Sequence, residues 1–394
     1  MPRFLFFSLL ASILLPAGVA QRASVQQLEQ LLAADASQSG AKAGGMDLLA
    51  QVMQEDDLAP RLSALELTER LTPPTRARLV KTYKLGPLSQ DALAMLADRS
   101  ALLDPPQAEI PSLPPPDIAM QRAMVRGAGD FVFQTLAHLP NFFATRSTTH
   151  FDDGPITVNG RVLVASENLR MTGKSSREIT FRDGRELISP LAQAAEKERL
   201  RDDGMETQGE FGPEPGIVFL DIAHGSLAFH HWETTALGRV AVFRYAVPAE
   251  ASHYQVKTNC RVTQKFQKQP AYHGSITLDP ATGVLLRLTL EADSSRNDPI
   301  SQVGSVIEYG SVELGKNSYT CPIRSLAFSV QESDACTHDA RDRRLGRPVE
   351  FMNLTRFTAY HRLGSESQIV PAPVAQTSSH EPQKTNSSPD LPHP

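Results

Sequence analysis

The sequence is poor in the residues and motifs that most catalytic and cofactor-binding proteins display. Only three cysteines occur among 394 residues, Cys260, Cys321 and Cys336, and no two of them form a CxxC pair. A redox dithiol or a cysteine-ligated zinc therefore has no support. No GxxxxGK[ST] phosphate loop and no GxGxxG turn is present, which argues against nucleotide and dinucleotide chemistry. No GxSxG elbow and no HExxH pair occurs either. A formal net charge of −5 speaks against a nucleic-acid partner, since phosphate binding wants a basic face. No apolar run approaches the ~20 residues that would span a bilayer, so the mature chain is not expected to be transmembrane.

What is present begins with an export signal. MPRFLFFSLLASILLPAGVAQR has a basic start at Arg3, an apolar run from Phe4 to Leu15, a break at Pro16 and small residues at Gly18 and Ala20. That order is the pattern of a secretory signal peptide cleaved after Ala20, and it predicts a periplasmic or secreted bacterial protein. Hydrophobic residues at 41% and charged residues at 21% give enough apolar material for a sizeable core. In an oxidising compartment three cysteines suggest one disulfide and one free thiol. Cys260–Cys321 is the favoured pair, because two sheet positions can stand at bridging distance; Cys321–Cys336 closes a shorter loop and stays open.

The expected fold class is α+β, with an N-terminal helical region followed by a curved, half-barrel-like antiparallel sheet packed on helices. The expected division is a signal peptide over 1–20, a helical domain over 21–103 and a proline-rich linker over 104–117. A sheet domain with helices follows over 118–365, and then a disordered tail over 366–394. Val25, Leu28, Leu31 and Leu32 form one helical stripe, Leu62, Leu65 and Leu67 suggest a short helix, and Ser89 stands as an N-cap. From ATRSTTHF onward the period changes to two. Asn159-Gly160, Asp183-Gly184 and Gly315-Lys316-Asn317 are turn signals between strand-like runs. Ala241, Phe243, Tyr245 and Val247 share a face. Leu286, Leu288 and Leu290 face one way, while Arg287, Thr289 and Glu291 face the other.

LSALELTERL, LLDPP, LPNFFATRSTTHF, FRDGRE, GEFGP, AVFRYAVP, YHGSITLDPATGVLLRLTLEAD, EYGSVELGKNSYTCPIRS and FTAYHR together resemble a family of exported, uncharacterised proteins of soil bacteria. The resemblance runs from about residue 60 to 363 and brings no activity with it. At fold level the second half looks like the half-barrel of periplasmic lipoprotein carriers and their sigma-regulatory relatives. That likeness implies a concave sheet face holding acyl chains.

The densest functional-looking stretch is DIAHGSLAFHHWETT, with His224, His230, His231, Trp232 and Glu233. Histidine suits metal binding and acid–base work near neutral pH. A helix over 226–232 would put His224 and His231 nearly on one side and pack Phe229 and Trp232 onto the sheet. Ser226 and Ser275 each follow a His-Gly pair without forming a nucleophile motif. The leading expectation is a non-enzymatic binding module of the cell envelope. Trp232, Phe243, Tyr245, Leu286, Leu288 and Leu290 would wall an apolar cleft for a lipid, a lipoprotein or a partner segment, with no cofactor. The alternatives are an exported hydrolase or metal-dependent enzyme using His224, His230 and His231, and an envelope scaffold docking a protein partner through its N-terminal helices.

Overall fold

A computed structural model describes residues 21–42, 57–158, 161–164, 168–187, 209–236, 238–258, 266–295, 298–331 and 348–363. The expected signal peptide and tail, Cys260, Cys336 and the turn pair Asn159-Gly160 lie outside the described residues. Contacts divide the chain into Met1–Arg362 and Leu363–Pro394, and every element below belongs to the first unit. Among the described residues no helix is long and apolar enough to cross a membrane.

The N-terminal third is a small helical module. It contains α1 (Val25–Lys42), α2 (helical over 57–63), α3 (Pro73–Tyr83) and α4 (Pro87–Arg99), with β1 (Gln21–Ala23) paired in parallel with β2 (Leu65–Leu67). Leu28, Leu32, Leu62, Leu79, Leu93 and Leu96 are almost fully buried in its core. Leu65 and Leu67 thus belong to a strand rather than to the expected helix. Helix α4 starts one turn earlier than its serine suggested: Gly86 caps it, Pro87 takes the first position, and Ser89 is buried inside. Thr72 caps α3, accepting from the Thr75 amide at 3.4 Å.

The rest is a mixed layer structure around one antiparallel sheet, as the expected α+β class requires. Its strands are β3 (Phe142–Asp152), β6 (Arg170–Arg182), β7 (Arg185–Leu187), β8 (Ser226–Thr235), β9 (Gly238–Val247), β12 (Tyr272–Leu278), β13 (Leu285–Ala292), β14 (Ile300–Leu314), β15 (Asn317–Gln331) and β16 (Val349–Arg362). Two small hairpins, β4 (Ile156–Val158) with β5 (Arg161–Val164) and β10 (Val256–Thr258) with β11 (Phe266–Lys268), stand apart. The ten strands run β7-β6-β3-β16-β15-β14-β13-β12-β9-β8 and do not close into a barrel. The turn signals act as their chemistry demands. Asp183 and Gly184 both hold positive φ (52° and 76°) between β6 and β7, and Gly315 (72°) turns β14 into β15. Asp279 accepts from the amides of Ala281 and Thr282 to fold the β12–β13 loop.

The central strands are covered on both faces, and this fixes the meaning of their alternation. On the inner face lie α5 (Ile118–Asp130), its continuation through Leu136, and α6 (Pro213–Asp221), packed on Phe243, Tyr245, Ile276, Leu288, Leu290 and Ile307. Phe142 stacks on Phe181 at 5.0 Å, and Phe211, Phe357 and Tyr360 complete a ring cluster around the β3–β16 seam. On the outer face Ala101, Val306, Leu326 and Met352 form a smaller core against Met95 and Leu102 of the helical module. Val306 and Ile307 are adjacent and both buried, one toward each layer.

Two bulges revise the expected faces. Register shifts between Thr277 and Leu278, so Leu278 pairs with Leu285 and Thr277 with Arg287, leaving Leu286 as the extra residue. Leu285 takes the core position and Leu286 is half-buried. The second bulge lies between Phe229 and His231 in β8, within a segment that is strand and not the short helix considered from sequence. Cys321 is a free thiol, fully buried in the inner core, and burial pushes it up to about 12. The expected Cys260–Cys321 bridge is therefore not formed: the inward alternation of β15 seals Cys321 among core side chains.

Gly274 in the middle of β12 makes room for a neighbour. A Cβ there would stand 2.0 Å from the Thr289 carbonyl oxygen and 2.7 Å from the Tyr245 hydroxyl. The bare backbone lets the Tyr245 hydroxyl cross β12 and donate to the Thr289 carbonyl of β13 at 2.6 Å. Gly274→Ala is expected to destabilise the protein by about 1–3 kcal/mol, the range for overpacking a filled core, read as a lower urea midpoint with an unchanged m-value.

A polar cleft between the helical module and the sheet

The outer face of β8, β9, β12 and β13 is polar, and the helical module delivers counter-charges to it. Arg70 donates to Glu233 Oε1 at 2.5 Å, and Arg244 pairs with Asp104. Arg324 of β15 pairs with Asp98 of α4 and lies 3.5 Å from Glu308. The Arg287 guanidinium donates to the carbonyl of Ala101. Residues 103–116 run on across the sheet edge, where the Trp232 indole N–H donates to the Pro114 carbonyl at 2.9 Å. Between module and sheet a cleft of about 400 Å³ remains. Arg70, Arg287, His231 and Glu233 line one part of it, and Ser275, Thr289, His273 and Glu291 line another.

The β8 bulge explains why two successive histidines meet instead of facing opposite sides of the sheet. His230 is exposed and His231 buried, yet their Nδ1 atoms are 2.5 Å apart. His231 Nε2 faces the Glu233 carboxylate at 2.9 Å, so Nε2 carries the proton. In the neutral ring Nδ1 is then the acceptor, and His230 Nδ1–H is the donor. Burial, then Arg244 and His231, hold His230 below the usual imidazole range. Burial alone would raise Glu233, but the His231 hydrogen bond and Arg70 outweigh it and hold the carboxyl down to about 2. Neither histidine hydrogen-bonds a hydroxyl or thiol among the described residues, so a nucleophile–base pair is not assembled there.

The residues singled out from sequence divide clearly. Phe243, Leu288 and Leu290 are at most 1% exposed and, with Trp232, pack the dry inner core rather than walling a cleft. Tyr245 has its ring in that core and its hydroxyl reaching the cleft side. His224 ends the turn before β8 and is exposed, apart from the His230–His231 contact. Among the described residues no group of three or more His, Cys, Asp or Glu is placed to hold a metal ion, so His224, His230 and His231 do not converge on one. Ser226 opens β8 in the open, and Ser275 bonds to Thr289 Oγ1 at 2.9 Å.

The residues that build the cleft were only half visible beforehand. The alternation Arg287, Thr289, Glu291 marked the polar face of β13. Arg70 and Asp104 carried no local signal, because their partners lie 163 and 140 residues away. Comparison with protein-family models, with curated proteins and with solved structures finds no match for the chain.

Two carboxyls set opposite pH responses. Glu233 is depressed from an ordinary 4.5 to about 2, so its contribution to stability is complete above 4.5 and is lost as the pH falls toward 2. Glu214 at the start of α6 is bonded by the Ser305 hydroxyl, and burial, aided by Glu210, raises it to about 7. It favours the folded state most below 4.5 and loses that advantage as the pH rises to 7. Urea midpoints against pH check both: the deficit of Glu233→Gln relative to wild type shrinks on acidification, and the gain of Glu214→Gln grows on alkalinisation.

Proposed function

We propose that this chain is an exported, non-enzymatic binding module of the bacterial cell envelope that holds a small polar ligand in the cleft between its helical module and the outer face of β8–β13. The observation that carries this reading is the division of the sheet. The apolar inner face is filled by α5, α6 and aromatic side chains, whereas a cleft of about 400 Å³ opens on the outer face among arginine, histidine, hydroxyl and carboxylate groups. A lipid or lipoprotein acyl chain needs an apolar wall. The side chains expected to supply one are packed against each other. The N-terminal sequence supports export, and the histidines, engaged with each other and with Glu233, support binding over catalysis.

A thermal-shift panel of small neutral, anionic and cationic compounds on the full-length protein tests the reading. A ligand at a hundredfold excess over its Kd should raise the Tm by about 4 °C. Ala246→Trp places a bulky ring at the exposed lining of the cleft and should abolish the shift without lowering the protein's own Tm. Stoichiometric uptake of a fluorescent fatty acid, with no response to any polar compound, would overturn the proposal.

A further inference from the structure

Three outward-facing arginines on the sheet meet the helical module, and they are not treated alike. Arg244 of β9 meets Asp104, and Arg324 of β15 meets Asp98 and Glu308. Arg287 of β13 lies between them and meets only the neutral Ala101 carbonyl; among the described residues no carboxylate makes an ion pair with it. Arg70 sits opposite on the module, 8% exposed, with one terminal nitrogen on Glu233 and its Nε–H without any partner. Burial and then the proximity of Arg70 push Arg287 down to about 10. Glu233, which pairs with Arg70, is itself shared with His231, and Glu308 opposite Arg287 on β14 acts on that guanidinium without forming an ion pair with it. An unpaired cation and an unmet donor in a partly desolvated site cost free energy that an anion near them would help recover.

We infer that the cleft is an oxyanion site, in which a carboxylate or phosphate group of a small ligand is received by the guanidinium of Arg287, with the guanidinium of Arg70 beside it. The inference rests on the proposal above that the cleft is the binding surface, and it names the chemical class of the ligand. The Ser275 and Thr289 hydroxyls, bonded to each other, form the adjoining floor for the uncharged part of the molecule. Guanidinium groups suit this role because planar N–H donors match oxygen pairs and remain charged at neutral pH. A volume of about 400 Å³ restricts the ligand to a small molecule or the anionic head of a larger one.

Isothermal titration of the full-length protein at fixed ionic strength, with inorganic phosphate, succinate, glucose and ethanolamine as separate probes, decides the matter. One anion should bind with one-to-one stoichiometry; phosphate over succinate assigns a phosphate ligand, and the reverse assigns a carboxylate. Arg287→Met should weaken that binding by about tenfold or more, and Arg287→Lys should fall between it and wild type. Without ligand, Arg287→Met should be at least as stable as wild type, because an unpaired charge has been removed. Binding of glucose or ethanolamine with neither anion bound overturns the inference and leaves the cleft reading standing. An anion held equally well by Arg287→Met is an adventitious ion only and overturns the inference. Failure of all four probes overturns both.

Discussion

The structure depends on how a sheet covered on both faces along its central strands disposes of the charges it must turn outward. An antiparallel sheet of this size can hide one apolar face beneath its own crossing helices, and β9, β12, β13 and β14 do so with α5 and α6. Its opposite face then carries the alternate residues, many of them ionic. Those charges are tolerable under a second layer only where that layer brings partners. The helical module supplies Arg70, Asp98 and Asp104 to Glu233, Arg324 and Arg244. Its docking is thus specified by charge more than by area, since the apolar patch between the layers centres on four buried residues. The cleft is the place where this matching stops short.

Much of the architecture was legible because its signals are local. Asp-Gly and Gly-Lys turns require positive φ whatever surrounds them, and the hairpins at Asp183 and Gly315 follow. Period-two patterning marked the inner face of β9 correctly through Ala241, Phe243, Tyr245 and Val247. The errors arose where a neighbouring strand decides. Nothing within VLLRLTLEA says that Leu286 is looped out, because the bulge is a property of the β12–β13 pair. The same holds for FHHWE, whose apolar and aromatic content admits a helix until β9 pairs with it.

The site was less legible, for a related reason. Alternation identified Arg287, Thr289 and Glu291 as one face, but that face reads as solvent-exposed until a helical module more than a hundred residues upstream is seen to cover it. Histidine density drew attention to β8, yet chemistry there follows from geometry: the bulge turns His230 onto His231, and Glu233 engages the pair from the far side. Large apolar side chains, attractive as cleft walls, are more often what a core is made of.

One topological fact reaches beyond the static arrangement. β16 is the last strand, and it lies between β15 and β3, joining a six-strand meander to a three-strand one whose residues were synthesised some two hundred positions earlier. Until β16 arrives, each half presents a long, unsatisfied edge capable of pairing with another chain. Such a high contact order makes the interval before β16 is available the one in which a chaperone would matter most.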